Sequence, residues 1–374
     1  ELYWCQCSDK GIISDGVVNV DIKPFEKKVV DLELGKLPKT EYYLNLELRE
    51  KDDTAYCKAG HIVAEQQFVI NEFDNVYDEI EEEQQLLVDD TYGSLRIISD
   101  DVVIRFERRE RNQLYSIKVG NEELLQAPMR LNFWRALTDN DRGTRAGSRL
   151  GCWRDAGDTP GIFNNTKWSI EGYKILDDGK KVVVTSGATV CTQPESKASI
   201  VYTITSKGME INLHFYPDPS LPEIPEVSLL FELPKDFENV TYLGNGPEEN
   251  YIDRANAAKI GLYNTTVSDM WVDYLKPQEC GNRTGVRYAT LVGDKKVFSL
   301  VAEPVMEFNA CHWLPKEIEN VWHQKDLPEP NKTVVRCIAR QQGIGGYDSW
   351  GAHCNEKYKN KTDKTYRLKF QIRF

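Results

Sequence analysis

The sequence predicts an all-β protein of the sandwich class: an incomplete immunoglobulin-like β-sandwich followed by a large antiparallel β-sandwich. Three observations carry this expectation. Apolar and polar residues alternate with a period of two in several segments. Gly, Pro, Asn and Asp punctuate the chain at short intervals, as turns between strands require. No long helical pattern is visible, which leaves sheets as the only way to build a core.

The strands are read in chain order. Leu44-Asn-Leu46-Glu-Leu48-Arg places each apolar residue on one face of an extended segment. Met209-Glu-Ile211-Asn-Leu213-His-Phe215 does the same, and so does the end of the chain, Tyr366-Arg-Leu368-Lys-Phe370-Gln-Ile372-Arg-Phe374. Each reads as a half-buried antiparallel strand. One short helix is expected from Arg145 to Ala156, bounded by Gly143 and Gly157.

With 374 residues the chain exceeds the size at which a single core stops growing, about 250–300 residues, so two domains are expected. From Glu72 to Asp90 there are nine acidic residues and no Lys or Arg. Such a run reads as a solvated connection. The expected organisation is therefore a truncated immunoglobulin-like domain over 1–71, an acidic linker over 72–90 and a large sandwich over 91–374. The chain opens on Glu1-Leu-Tyr-Trp-Cys5, a strand-like run, and is expected to be a piece of a longer protein.

A formal net charge of −12 disfavours nucleic acid and anionic membrane, both of which need a basic face. No apolar run approaches a membrane span. The nine cysteines form no C-x-x-C pair, which predicts inert thiols in a reducing cytoplasm rather than a zinc site. Six Asn-x-Thr sequons, at Asn164, Asn239, Asn264, Asn282, Asn331 and Asn360, would matter only in a secreted protein. His61, His214, His312, His323 and His353 show no metal-ligand spacing and read as structural or exposed.

Four stretches are more polar and glycine-rich than core packing needs. They are Phe133 to Gly143, Tyr242 to Arg254, Pro277 to Arg287 and Gly343 to Trp350. Loops of this kind either pin strand ends or line a site. Three of them contain Arg135-Ala-Leu-Thr-Asp-Asn-Asp141, Gly244-Asn-Gly-Pro-Glu-Glu-Asn-Tyr-Ile-Asp-Arg254 and Gly343-Ile-Gly-Gly-Tyr-Asp-Ser-Trp350. These resemble the C-terminal sandwich of glycoside hydrolase family two β-galactosidases. Ala59-Gly-His-Ile-Val-Ala-Glu-Gln-Gln67 resembles the end of that family's preceding immunoglobulin-like domain. The resemblance runs in order along essentially the whole chain.

The resemblance implies a truncated fourth domain and a complete fifth, the latter of galactose-mutarotase-like type. The catalytic barrel, with the two Glu of a retaining hydrolysis, would lie outside this chain, so no catalytic residue is assigned here. It implies a hydrolase of terminal β-galactosides such as lactose, shared with the barrel, and a homo-oligomeric cytoplasmic enzyme. It assigns this chain no cofactor or metal ligand. The family's Mg and Na are bound mainly outside this part.

The family's acid/base glutamate lies in a Gly-Asn-Glu triplet, and Gly120-Asn121-Glu122 has the same letters. It sits between alternating segments, so a hairpin turn is the better reading. Asp139-Asn-Asp141 lacks the Glu of a calcium loop and reads as an Asx-type turn that caps the next segment. Glu248, Glu249 and Glu279 read as partners for Arg254, Arg283 and Arg287 rather than as paired acids.

Trp350 is the one substrate-binding candidate. It ends a loop too polar and flexible for a core, and an indole face stacks well on a pyranose. In the resembling family this Trp reaches the active-site mouth and contacts the leaving sugar. Two competing readings are a non-catalytic small subunit of a split β-galactosidase and a stand-alone aldose mutarotase. The second needs a Glu base facing a His acid.

Overall fold

The computed structural model describes all residues except 36–40, 72–79, 81–83, 109–112 and 158–165. It is nearly all β, with 48% strand and 9% helix, which settles the fold class. The chain divides into two compact units, one built on 1–71 with Lys259–Leu262 and one holding the remaining described residues.

The first unit is a four-stranded antiparallel sheet in the order Gly11–Val18, Leu2–Ser8, Tyr42–Arg49, Ile62–Asn71. Trp4, Cys5, Tyr42 and Tyr43 are buried. The expected alternation is only half realised: Leu44 is 8% exposed, but Leu48 is 43% exposed. Among the described residues this unit is a single sheet. With no second layer, one face cannot bury all its apolar side chains.

The second unit contains two sheets. A five-stranded antiparallel meander runs Leu87–Asp90, Ser94–Ile98, Val102–Glu107, Leu114–Val119, Glu122–Glu123. Leu87–Asp90, placed by the sequence at the end of the acidic linker, is thus an edge strand paired to Ser94–Ile98. The rest of that acidic run, apart from residue 80 and residues 84–86, lies outside the described residues.

A twelve-stranded antiparallel sheet forms the other layer. Its middle holds Glu226–Pro234, Lys332–Gln341, Val297–Cys311, Tyr366–Arg373 and Gly208–Tyr216, in that order. Met209, Ile211, Leu213 and Phe215 are buried, as are Tyr366, Leu368, Phe370 and Ile372, while most of the alternate positions face outward. The two layers share one core. Phe106 of the meander meets Tyr202 of the large sheet edge-on at 4.9 Å. Phe133, Trp153 and Phe215 pack with ring centroids 4.5 to 6.1 Å apart. Each such ring contributes about 1.5–3 kcal/mol of burial, so this cluster anchors the loops beside it.

Gly120-Asn121 is the expected hairpin turn. Val119 pairs with Glu122 across it, and Gly120 has φ +57, a conformation glycine adopts without a Cβ clash. The Glu122 carboxylate points at Lys296, 3.7 Å away. The single helix expected over 145–156 is replaced by separate short helices, Ala146–Arg149 and Gly151–Arg154. Arg145 is left-handed at φ 56 and supplies no side-chain cap, and Gly151 opens the second turn, so no continuous helix propagates.

Two sequons are closed by packing. Asn282 and Asn360 are fully buried, and their amides donate to Asn250 O and Arg340 O. All nine cysteines are free. Burial pushes the Cys311 thiol up to about 11, which keeps it an unreactive thiol. Among the described residues no helix is long and apolar enough to cross a membrane.

Candidate functional site

Two of the four polar stretches, Phe133 to Gly143 and Tyr242 to Arg254, converge on the loop that holds a third, Gly343–Cys354. Its root comes directly after the strand Lys332–Gln341 and is gripped by Arg135. The buried Arg135 guanidinium donates to Gln342 O at 2.5 Å and to Gly343 O at 3.2 Å. Its other edge makes a two-bond pair with Asp141, 3.0 and 3.1 Å. Burial opposes the charge on Arg135, but Asp141 alongside more than offsets this and holds its pKa above the ordinary value.

Asp141 is itself fixed by a capping box. Thr138, not an Asx residue, is the N-cap of the short helix Asp139–Gly143: its Oγ1 accepts from Asp141 N at 3.0 Å, and Asp141 Oδ2 accepts from Thr138 N at 3.1 Å. The expected Asx turn is therefore corrected in detail, although the segment is capped. Asn140 reaches the loop, donating to Ile344 O at 3.0 Å.

The third grip is Asp253. Its Oδ1 accepts from Ile344 N at 3.0 Å and its Oδ2 from Gly345 N at 2.9 Å. Gly343 is needed here because a Cβ would lie 2.6 Å from Asp253 Oδ2. Gly345 and Gly346 come next, at φ +69 and +87.

Beyond this root the chain turns on its own polar groups. Asp348 Oδ1 accepts from Trp350 N at 2.9 Å and Ala352 N at 3.0 Å. These amide bonds, that of Ala352 first, hold the Asp348 carboxyl below its usual pKa. Gly351 closes the loop against Gly143, whose carbonyl a Cβ would approach to 2.8 Å. Trp350 itself is 93% exposed. An indole left bare on a loop tied at both ends has no packing role among the described residues.

Beneath the root lies a buried polar network that the sequence reading did not single out. Arg336 Nη1 donates to Glu226 at 2.5 Å, and its Nη2 donates to both oxygens of Glu279 at 2.6 and 2.8 Å. Gln341 Nε2 bridges the same two carboxylates at 2.8 and 3.2 Å. Burial pushes the Glu279 pKa up, against the pull of Arg336. Burial likewise opposes the Arg336 charge, and the two carboxylates restore it with a net rise.

The expected acid partners are thus partly revised. Glu249 does meet Arg254, at 3.5 Å. It also accepts from Gly281 N at 2.8 Å and from Tyr274 Oη. Glu279 pairs with Arg336, not with Arg283 or Arg287. Arg283 instead donates to Tyr242 Oη and Gly281 O, and Arg287 to Gly285 O. Glu248 is exposed. Among the histidines, His312 pairs with Glu238 at 3.0 Å, His323 with Asp326 at 3.1 Å, and His214 meets Tyr216 Oη at 3.2 Å on the outer face. Among the described residues no group of three His, Cys, Asp or Glu could hold a metal ion.

Comparison with known proteins gives this arrangement a family. Residues 99–372 match the family model described as beta galactosidase small chain, and residues 1–71 match that of beta-galactosidase, domain 4. A β-galactosidase of Priestia megaterium is 32% identical over 335 residues, which are 89% of this chain and 31% of that protein. A β-galactosidase small subunit of Latilactobacillus sakei is 26% identical over 76% of this chain and 99% of its own length. The chain thus spans about a third of one relative and nearly all of the other. A solved galactose mutarotase-like protein of Lactobacillus casei superimposes with a TM-score of 0.41 at 12% identity, over 75% of this chain and 99% of that one. The 99–372 match covers most of the sequence, and on that ground this chain belongs to the β-galactosidase small chain family.

Proposed function

We propose that this chain is the C-terminal, non-catalytic part of a β-galactosidase and shapes the side of the active site that receives the leaving sugar. The single observation that carries this reading is Trp350: bare to solvent, yet on a loop tied down by Arg135, Asn140 and Asp253. A flat apolar ring held in place outside a fold serves a ligand or partner that is not part of that fold. The ligand is the sugar bonded to galactose, glucose in the case of lactose. The catalytic carboxylates belong to a barrel outside this chain, and residues 1–71 are an incomplete immunoglobulin-like domain next to it. No cofactor and no metal step is assigned to this chain. A cytoplasmic, homo-oligomeric enzyme completes the reading.

In this mechanism the chain does not move protons. The indole holds the leaving sugar over the bond to be broken, so its contribution is to binding and orientation. The isolated chain should therefore not turn over a chromogenic β-galactoside. Turnover by protein freed of host β-galactosidase would overturn the assignment.

In the full-length enzyme, Trp350→Leu should weaken lactose binding and glucose acceptance by about 1–3 kcal/mol, the range of stacking on an aromatic ring. Inhibition by galactose alone should change less. Unchanged lactose KM and glucose acceptor affinity in a folded variant would reduce Trp350 to a surface residue. A second reading, a separate small subunit paired with a large chain, is favoured by the match to nearly the whole L. sakei small subunit. Co-purification of the native protein separates the two: a single long chain supports the first reading, two chains the second.

A further inference from the structure

We infer that Asp253 is a positioning residue for Trp350, an inference that rests on the reading of Trp350 as the leaving-sugar contact. Its two carboxylate oxygens accept from two successive amides at the loop root, Ile344 N and Gly345 N. Gly345 and Gly346 both have positive φ and carry no Cβ to restrict them. The chain then runs to Trp350 without a strand or helix, through Tyr347, Asp348 and Ser349, all exposed. At about 3.3 Å per residue, a small rotation at the root moves the indole by several ångströms.

The opposite tie, Gly351 against Gly143, is a contact between two backbones and restrains distance more than direction. Arg135 and Asn140 hold the carbonyls of Gln342, Gly343 and Ile344, whereas Asp253 holds the last two amides before Gly346, Ile344 N and Gly345 N, and so sets the direction in which the loop leaves its root. The residue also belongs to the stretch Gly244 to Arg254, so its place there has a physical purpose: an ionised carboxylate takes two N–H donors, whereas an amide offers one oxygen and turns a donor toward the other N–H.

The test uses the full-length enzyme with Asp253→Asn, Asp253→Ala, Trp350→Leu and the double variant Asp253→Asn/Trp350→Leu. Lactose KM, kcat, glucose acceptor affinity and galactose inhibition are measured on each. Asp253→Asn should lower glucose acceptor affinity about tenfold, the size of one lost charge-assisted hydrogen bond. Its galactose inhibition should match the wild type. In the Trp350→Leu background the same change should add no further loss, because Asp253 acts through the indole.

Wild-type acceptor affinity in Asp253→Asn, with Trp350→Leu impaired, overturns the inference and leaves the reading of Trp350 standing. Fully additive losses also overturn it, since Asp253 would then act elsewhere. No effect of Trp350→Leu sinks both. Asp253→Asn, nearly the same shape, carries the test if Asp253→Ala does not fold.

Discussion

Replacing Arg336 by leucine should destabilise the second unit by about 3–5 kcal/mol, the usual cost of breaking a buried ion pair from one side. The side chain is almost wholly inaccessible, and so are both of its partners, Glu226 and Glu279. Leucine would fill much of the space but would leave two carboxylates facing each other without a cation. Gln341 Nε2 would remain between them, a neutral donor that cannot offset two charges. The Glu279 carboxyl, already raised by burial, would lose the pull of Arg336 and be pushed further toward its neutral form, so the variant should gain stability as pH falls. Arg336→Lys should be intermediate in outcome but still clearly destabilising, because one ammonium cannot reproduce the forked contacts to both acids. Denaturant melts of the three proteins at neutral and mildly acid pH would measure this. A leucine variant with the wild-type midpoint would show that the network adds nothing to stability. The consequence reaches the loop too: Gln341 and Gln342, which lead into Gly343, are held by this network and by Arg135.

The strands that were legible in the sequence are those with one dry face. Met209 to Phe215 and Tyr366 to Ile372 alternate because they face the core on one side only. Glu226–Pro234 is buried along nearly its whole length, so it carries no period-two signal. Leu44 to Leu48 alternates in sequence but not in burial, because among the described residues this unit is a single sheet with no second sheet over that face. Trp350 could be singled out because its surroundings are polar and glycine-rich, a local property. The stretches that hold its loop could be singled out too, but not which side chain in them bonds what, nor the buried ion pairs beneath. Arg336 lies 110 residues from Glu226 and 57 from Glu279, and Asp253 bonds amides 91 and 92 residues away. The one local hint for Arg336 is its place in Thr333-Val-Val-Arg-Cys-Ile338, a lone cation inside an apolar strand. A cation there must find buried acids, but the sequence does not say which.

Glu307 should contribute a loss of stability of about 3 kcal/mol as pH rises from about 5 to about 8, and Glu307→Gln should remove that contribution. Glu307 lies on the strand Val297–Cys311 with its carboxyl buried. Its pKa stands raised from 4.5 to about 7, chiefly by burial, which the bonds it accepts from Gln341 N and Asn282 Nδ2 offset only in part. Within that net rise Glu226 adds to the effect of burial and Arg340 opposes it. In the folded chain the carboxyl thus binds its proton more tightly than in the unfolded chain. Below the unfolded pKa both states are protonated and the difference vanishes. Between the two pKa values only the folded state holds the proton, so each step up in pH favours unfolding. Above about 7 the folded state must carry a buried negative charge, and the accumulated cost is about 3 kcal/mol at 1.36 kcal/mol per pKa unit. Glutamine keeps an acceptor for Gln341 N and cannot ionise. Its amide would meet the Asn282 amide, whose Oδ1 has no hydrogen-bond partner and is available to accept from it after a rotation. That rotation shifts the whole stability curve of the variant and not its slope, so the slope is the measurement. Denaturant midpoints of both proteins at about pH 5, 6, 7 and 8 give it directly. Parallel curves would mean that Glu307 is ionised in the fold throughout, and that Asn282 and Gln341 solvate its charge better than its burial allows.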